Sequence, residues 1–304
     1  VKLIICKPNE KVTGFHNFKL DLRNELASFY TLLEEVVKEL NINYKIKNIS
    51  FAGSEKVNEG VCIGHHNYEN LPNIWTIKRG YLPGYLYFDK KGYSGWSEGL
   101  ERYNPKADYS KKDIAKTLVK TQYYVDNNIS KIPQPETTNI PKKPYVVVFG
   151  QKPRDSVAKL AYIKTEVFPN IVKNAYKDTN IRVHYREHPG LRSKEHMKGS
   201  IHELIKHANA IYTVNSGTGF EALLQGKQVY TAGACDFSIV TTVVKNAKDV
   251  YNTRFQEAPS METIGHFLHY CLNEHFVNAF DKKSIERKVL RLLKEYKEDN
   301  LKSS

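Results

Sequence analysis

Between residues 145 and 231 the chain alternates short β-branched apolar runs with amphipathic stretches, and this rhythm restricts the fold more than any other feature. Tyr145-Val146-Val147-Val148-Phe149-Gly150 and residues 181–186, 210–214 and 228–231 read as strands. Residues 156–175, 201–208 and 219–224 read as helices between them. Strands joined through helices must cross over, so the pattern predicts a parallel, doubly wound α/β sheet. Residues 260–279 and 284–297 are expected to be helical as well.

The N-terminal half is less regular. Residues 1–6 form a strand pattern. Residues 21–40 carry Leu22, Leu26, Phe29, Leu33, Val36, Val37 and Leu40 at helical spacing. Short apolar runs follow at 46–52, 61–64 and 74–77, and Ser110 is placed to cap a helix over 111–125. Four prolines, Pro133, Pro135, Pro141 and Pro144, forbid helix or central strand there. The expected organisation is therefore a domain over 1–132, a linker over 133–144, a domain over 145–280, and a final helix over 281–304 packing back on the first domain.

Composition narrows the partners. Lys and Arg number 46 against 33 Asp and Glu, a formal charge of +13, which suggests a polyanion: nucleic acid, an acidic glycan or an anionic membrane face. Lys112, Lys116 and Lys120 make one basic stripe, and Lys283, Arg287, Arg291 and Lys294 another. The four cysteines form no C-x-x-C pair, and residues 1–6 are too short, before Lys7-Pro8, for a signal peptide; both features fit a cytoplasmic protein. His184 and His188 on a strand lie about 13 Å apart, too far for one metal ion, so no metal site is expected.

Ligands of open α/β sheets bind at the carboxyl ends of strands. Three such ends carry unusual residues. Gly150-Gln151-Lys152-Pro153-Arg154 offers close backbone approach and two cations. Arg186-Glu187-His188-Pro189-Gly190 holds an imidazole whose backbone the proline keeps extended. Asn215-Ser216-Gly217-Thr218-Gly219-Phe220-Glu221 brings hydroxyls and accessible amides to a helix start, an anion site without the spacing of a Walker loop or of G-x-G-x-x-G.

The Arg-x-His-Pro run at 186–189, followed by Asn215-Ser216-x-Thr218-Gly219-Phe220-Glu221-Ala222-Leu223-x-x-Gly226-Lys227-x-Val229, resembles the nucleotide-binding half of GT-B glycosyltransferases. The nearest group is the capsule polysaccharide enzymes that include Kdo transferases. Gly80-Tyr81-Leu82-Pro83-Gly84-Tyr85 and the residues to Ser97 are similar to a segment that lines the interdomain cleft in those enzymes. The resemblance implies a GT-B-like α/β fold of two Rossmann-like domains with parallel sheets facing a cleft. It implies a transferase with no cofactor and no catalytic metal, using a UDP- or CMP-linked sugar as co-substrate. His188 and Ser216–Thr218 would then contact the donor phosphate and Glu221 the ribose, with Gly150, Lys152, Arg154, Arg186, Pro189, Asn215 and Gly219 completing the donor site.

An inverting transfer needs a general base. Asp89 and Glu98 are the first choices, with His188 as a further catalytic group; His65, His66 and Asp21 are other options. Lys78 and Arg79 stand where the capsule enzymes tend to place acids. With His65, Tyr81, Tyr85, Trp96, Lys112, Lys116 and Lys120 they form the expected acceptor surface. Trp75, Tyr87 and Tyr93 extend its aromatic part, suited to stacking on a sugar or an extruded base. Hydroxymethylpyrimidine-modified phage DNA is the favoured acceptor, acting in the host cytoplasm. A capsule or lipopolysaccharide glycan, with peripheral membrane contact, is the alternative. A non-catalytic nucleotide- or nucleic-acid-binding protein is the third reading.

Overall fold

The structure is a computed structural model. It describes every residue except 1, 9–24, 51, 57–59, 69–70, 136–139, 190–198 and 304. Asp21, Leu22 and Gly190 lie outside the described residues. The elements in chain order are β1 (Lys2–Pro8), α1 (Glu25–Glu39), β2 (Asn43–Ile49), β3 (Val61–His65), β4 (Ile74–Arg79), β5 (Tyr85–Asp89), α2 (Lys111–Asp126), β6 (Tyr145–Phe149), α3 (Phe168–Ala175), β7 (Arg182–Arg186), α4 (Ile201–His207), β8 (Ile211–Thr213), α5 (Gly217–Leu223), β9 (Val229–Thr231), β10 (Thr242–Val243), α6 (Ala247–Thr253), α7 (Met261–Tyr270), β11 (Phe276–Asn278) and α8 (Lys282–Ser303).

Two compact units result: Val1–Glu101 with Tyr270–Ser304, and Arg102–His269. The boundary thus differs from the expected linker at 133–144. The physical reason is local packing. Ser110 caps α2 by accepting from the Asp113 amide, and α2 packs its Ile114 and Leu118 at Gly265 and its Thr117 hydroxyl at His269. The proline-bearing stretch after it is strapped to the second unit. Asn128 Nδ2 donates to the Pro135 carbonyl, His202 Nε2 meets the Ile129 carbonyl at 3.0 Å, and Gln134 Oε1 accepts from the Ile201 amide.

In the first unit the strand order is β11-β5-β4-β3-β1-β2. β2, β1, β3 and β4 run parallel, but β5 is antiparallel to β4 and β11 antiparallel to β5. The parallel sheet expected here carries two antiparallel strands at one edge. Only five residues separate β4 from β5, too few for a crossover, so the chain reverses. The helix expected over 260–279 also breaks. It ends in a π turn at Cys271–His275, and the residues beyond it pair with the edge of β5. Lys288 on α8 fastens that turn by donating to the Glu274 and His275 carbonyls, both at 2.7 Å. α8 returns to α1, and Leu26, Phe29, Leu33, Val37, Ile285, Val289 and Leu292 share one core with the strands.

The second unit has the order β10-β9-β8-β6-β7, parallel throughout, as the alternating pattern requires. One expected helix, 156–175, is split into a 3-10 segment, Ser156–Leu160, and α3. Between them the chain is extended and pairs with 232–234: the Tyr162 amide donates to the Ala232 carbonyl and the Ala234 amide to the Leu160 carbonyl. Pro169 then starts α3, where no amide is needed. No helix among the described residues is long and apolar enough to cross a membrane.

The first unit contains one costly pair. Glu25 is buried at the start of α1; its Oε1 lies 2.6 Å from Arg79 Nε and its Oε2 accepts from the Gly84 amide at 2.8 Å. Removing one partner strands the other charge away from water. Glu25→Ala is expected to destabilise the first unit by about 3 kcal/mol, measured as a lowered denaturation midpoint against wild type.

Candidate functional site

The second unit collects its unusual side chains at the carboxyl edge of β7-β6-β8. Phe149 is in register with Arg186 on one side and with Thr213 on the other. Gln151 and Asn215 therefore lie two residues beyond matched ends of neighbouring strands. The Gly150 amide donates to the Arg186 carbonyl at 2.8 Å. A Cβ on Gly150 would fall 2.6 Å from the Tyr185 hydroxyl and 3.2 Å from the His188 amide, so glycine is what lets these two strand ends close up. Gly219 is equally confined; a Cβ there would meet Thr213 and the Phe237 ring at about 3 Å.

Ser216 caps α5 and accepts from the Thr218 amide, while its own amide donates to Thr213 Oγ1. Asn215 Nδ2 donates to the carbonyls of Val157 and Ala234. Gln151 Nε2 donates to Asp155 Oδ2. Both amide nitrogens face fixed acceptors, and this orients their oxygens the other way. Those two oxygens, Asn215 Oδ1 and Gln151 Oε1, have no hydrogen-bond partner among the described residues, nor do Thr218 Oγ1, Glu221 Oε1 and Arg186 Nη1, all of them buried atoms. Buried polar atoms are almost always paired, so five orphans on three adjacent strand ends demand a physical account.

Glu221 is the electrostatic centre of this group. It is 3% exposed, and burial pushes its carboxyl up to about 8, against a hydrogen bond from Ser130 and the charges of Lys131 and Arg186 that favour ionisation. Arg186 is held in turn by Gln134, whose Oε1 lies 3.5 Å from its Nη2. His188 is half-buried, and Pro189, Lys152 and Arg154 are exposed around the edge. Ser130, Lys131, Gln134 and Gln151 were not singled out in the sequence. The first three sit in or beside the proline-rich stretch and owe their place to the strap that folds it back.

The residues expected to bind the acceptor fare differently. His65 is buried with Nδ1 3.3 Å from the Tyr30 hydroxyl, and desolvation, with Arg79 and Lys78 nearby, pulls it down to about 4. It is a neutral internal imidazole rather than a surface contact. Arg79 is the partner of Glu25, and Arg291 pairs with Glu98 and Glu295 at 2.7 Å each while covering the Trp75 ring. Neither tracks phosphates. Trp75, Tyr81, Tyr85, Tyr87 and Tyr93 are core residues, with the Tyr81 hydroxyl on Ser94 and Tyr85 pushed up to about 12 by burial. Lys78 lies with Nζ 3.6 Å above the Tyr93 ring, and half-buried Trp96 stacks on Tyr68. Lys112, Lys116 and Lys120 are exposed, but on α2 of the second unit, not in the N-terminal one.

The two carboxylates proposed as bases are also engaged. Asp89 Oδ1 accepts from the Lys91 and Gly92 amides and Oδ2 from the Glu98 amide. Burial raises its carboxyl above the usual range. Glu98 Oε2 accepts from Arg291 Nη2. Asp89 thus organises the turn after β5, and Glu98 anchors α8. Among the described residues no group of three His, Cys, Asp or Glu side chains is arranged to hold a metal ion.

Comparison with known proteins bears on the fold. Residues 196–280, which include α4, β8 and α5, match the family model of capsule polysaccharide biosynthesis proteins. The structure is similar to the beta Kdo 2,7 transferase of Thermosulfurimonas dismutans KpsC, at 16% identity and a TM-score of 0.54 over 96% of this chain and 99% of that one. It is also similar to the beta Kdo 2,4 transferase of the same KpsC, at 17% identity and a TM-score of 0.57 over 86% and 89%. None of the curated proteins matches. The likeness establishes the α/β, GT-B-like fold expected from the strand–helix alternation and the motifs.

Two outcomes follow from the site. Glu221 binds its proton more tightly folded, at about 8, than in its ordinary state at 4.5. Its contribution to stability is complete below about pH 4.5, declines as the pH rises and is gone above about 8. Glu221→Gln should therefore flatten the fall in melting temperature across that window. Asp89→Asn should lower stability by about 1–3 kcal/mol, because an amide nitrogen cannot accept from the turn amides. Lost activity at unchanged melting temperature would instead return Asp89 to the role of a base.

Proposed function

We propose that this chain is a glycosyltransferase of capsule or related surface-polysaccharide assembly, which holds a nucleotide-sugar donor on the 102–269 unit. The observation that carries the reading is the set of buried orphan atoms on Gln151, Arg186, Asn215, Thr218 and Glu221. They gather where ligands of parallel α/β sheets bind. The residues that supply three of them, 215, 218 and 221, fall within the matched capsule family region. The likeness to two Kdo transferases, over nearly the whole of this chain in one case, supports the same class.

In this reading Arg186 Nη1 is a donor to an anionic phosphate oxygen, in a place where desolvation strengthens the bond. His188, beside it on the β7 end, supplies a second donor. Thr218 Oγ1 and the α5 amides face the same charge. Glu221, protonated near neutrality, adds no negative charge against a phosphate and offers hydrogen bonds to sugar hydroxyls. No catalytic metal is invoked. The base that activates the acceptor hydroxyl is not among Asp89, Glu98 or His65, whose polar atoms serve the fold.

A polysaccharide hydroxyl is the acceptor favoured here. DNA has no corresponding support: Arg79 and Arg291 are committed to ion pairs, and most of the aromatic cluster is core.

The experiment is donor binding by the full chain, read as a rise in melting temperature with a panel of nucleotides and nucleotide sugars. Wild type should be stabilised by at least one cytidine or uridine nucleotide. Arg186→Ala should weaken that binding at least about tenfold, the worth of a charge-assisted bond. Affinity should also fall as the pH passes about 8, where Glu221 ionises, and Glu221→Gln should remove that fall. No stabilisation by any nucleotide would overturn the reading.

A further inference from the structure

The outward face of α2 pairs charge with exposed apolar surface. The inward face is occupied: Ile114 and Leu118 approach Gly265, and Thr117 meets His269. The opposite face carries Lys112, Lys116 and Lys120, all exposed. Among them stand Val119 and Tyr123, 73% and 60% exposed. With 3.6 residues per turn, these five side chains occupy about a third of the helix circumference. The acids of the helix lie at the margins. Asp113 accepts from Ser110 Oγ at 2.7 Å and Lys116 Nζ at 3.3 Å, and Asp126 accepts from Gln122 Nε2 at 2.8 Å.

We propose that this face docks on an anionic lipid bilayer, with the lysine ammonium groups among the head-group phosphates and Val119 and Tyr123 at the boundary with the acyl chains. A merely solvated face would account for the lysines but would not call for Val119 and Tyr123, neighbours at i and i+4, beside them. A nucleic-acid backbone would satisfy the ammonium groups and leave Val119 and Tyr123 against phosphate. A lipid interface uses both kinds of side chain, the cations electrostatically and the tyrosine at head-group depth. The +13 charge of the chain adds attraction at longer range. The inference does not depend on the transferase reading.

The test is co-sedimentation of the full chain with vesicles of phosphatidylcholine alone and of phosphatidylglycerol mixed with phosphatidylcholine. Binding is expected only to the mixed vesicles, falling as salt is raised. The triple variant Lys112→Glu, Lys116→Glu, Lys120→Glu should lose at least about tenfold in binding, since each removed cation weakens attachment to an anionic surface. Val119→Ser with Tyr123→Ser should weaken vesicle binding several-fold while leaving retention on a duplex DNA column unchanged. The proposal is overturned if wild type does not bind the mixed vesicles at low salt. It is also overturned if the triple variant, folded by its melting curve, binds as wild type does. Should that variant not fold, Tyr123→Ser alone decides, and undiminished vesicle binding sinks the idea.

Discussion

The second unit depends on the parallel pairing of β6 with β7 on one side and β8 on the other. Parallel strands bring all their carboxyl ends to one edge, and the register of Phe149 with Arg186 and Thr213 sets which residues overhang it. Gly150 allows the β6 and β7 ends to approach, and Gly219 lets α5 start directly behind β8. The result is an edge where Gln151, Arg186, Asn215, Thr218 and Glu221 each keep a buried polar atom unmatched among the described residues. Leaving buried polar atoms unmatched is a standing cost in stability. A nucleotide with phosphate oxygens and sugar hydroxyls has the chemistry to relieve it. On the proposed reading, function and instability are properties of the same atoms.

The first unit uses its polar residues in the opposite way. Glu25 takes Arg79 and the Gly84 amide, Glu98 takes Arg291, and Asp89 takes three turn amides. Each pair ties an otherwise weak junction: the short reversal between β4 and β5, the turn that follows β5, and the return of α8. These are the places where the sheet abandons parallel order. Most of the aromatic residues of the 74–98 stretch are internal beside them.

The elements of the second unit are legible because their signals are local. β-Branched runs at 145–149 and 229–231 and the Ser216 cap each act over a few residues. The Arg-x-His-Pro and Asn-Ser-x-Thr-Gly runs mark strand ends by composition alone. The resemblance to the capsule enzymes rested on these same residues. Structure departs from local pattern where distant backbone competes with local preference. Residues 160–163 have helical composition but pair with 232–234, and residues 276–278 extend a helical pattern yet complete the edge of β5.

By itself, the sequence determined the α/β class, the order of strands and helices from 145 to 231, and the residue types present at three strand ends. Periodicity and turn chemistry operate within a few residues, and those are written directly in the chain. Only the tertiary structure decided which of the polar residues remain unmatched. Arg186 and Arg79 are alike as sequence, but one ends β7 beside Gln134 and the buried Glu221, and the other meets Glu25 from a helix more than fifty residues away. Likewise Glu221 and Asp89 are both buried acids, yet Ser130 reaches Glu221 only because the proline-rich strap folds back, and one oxygen is left over. Whether a side chain serves the fold or a ligand depends on partners brought from far along the chain, and no local pattern encodes them.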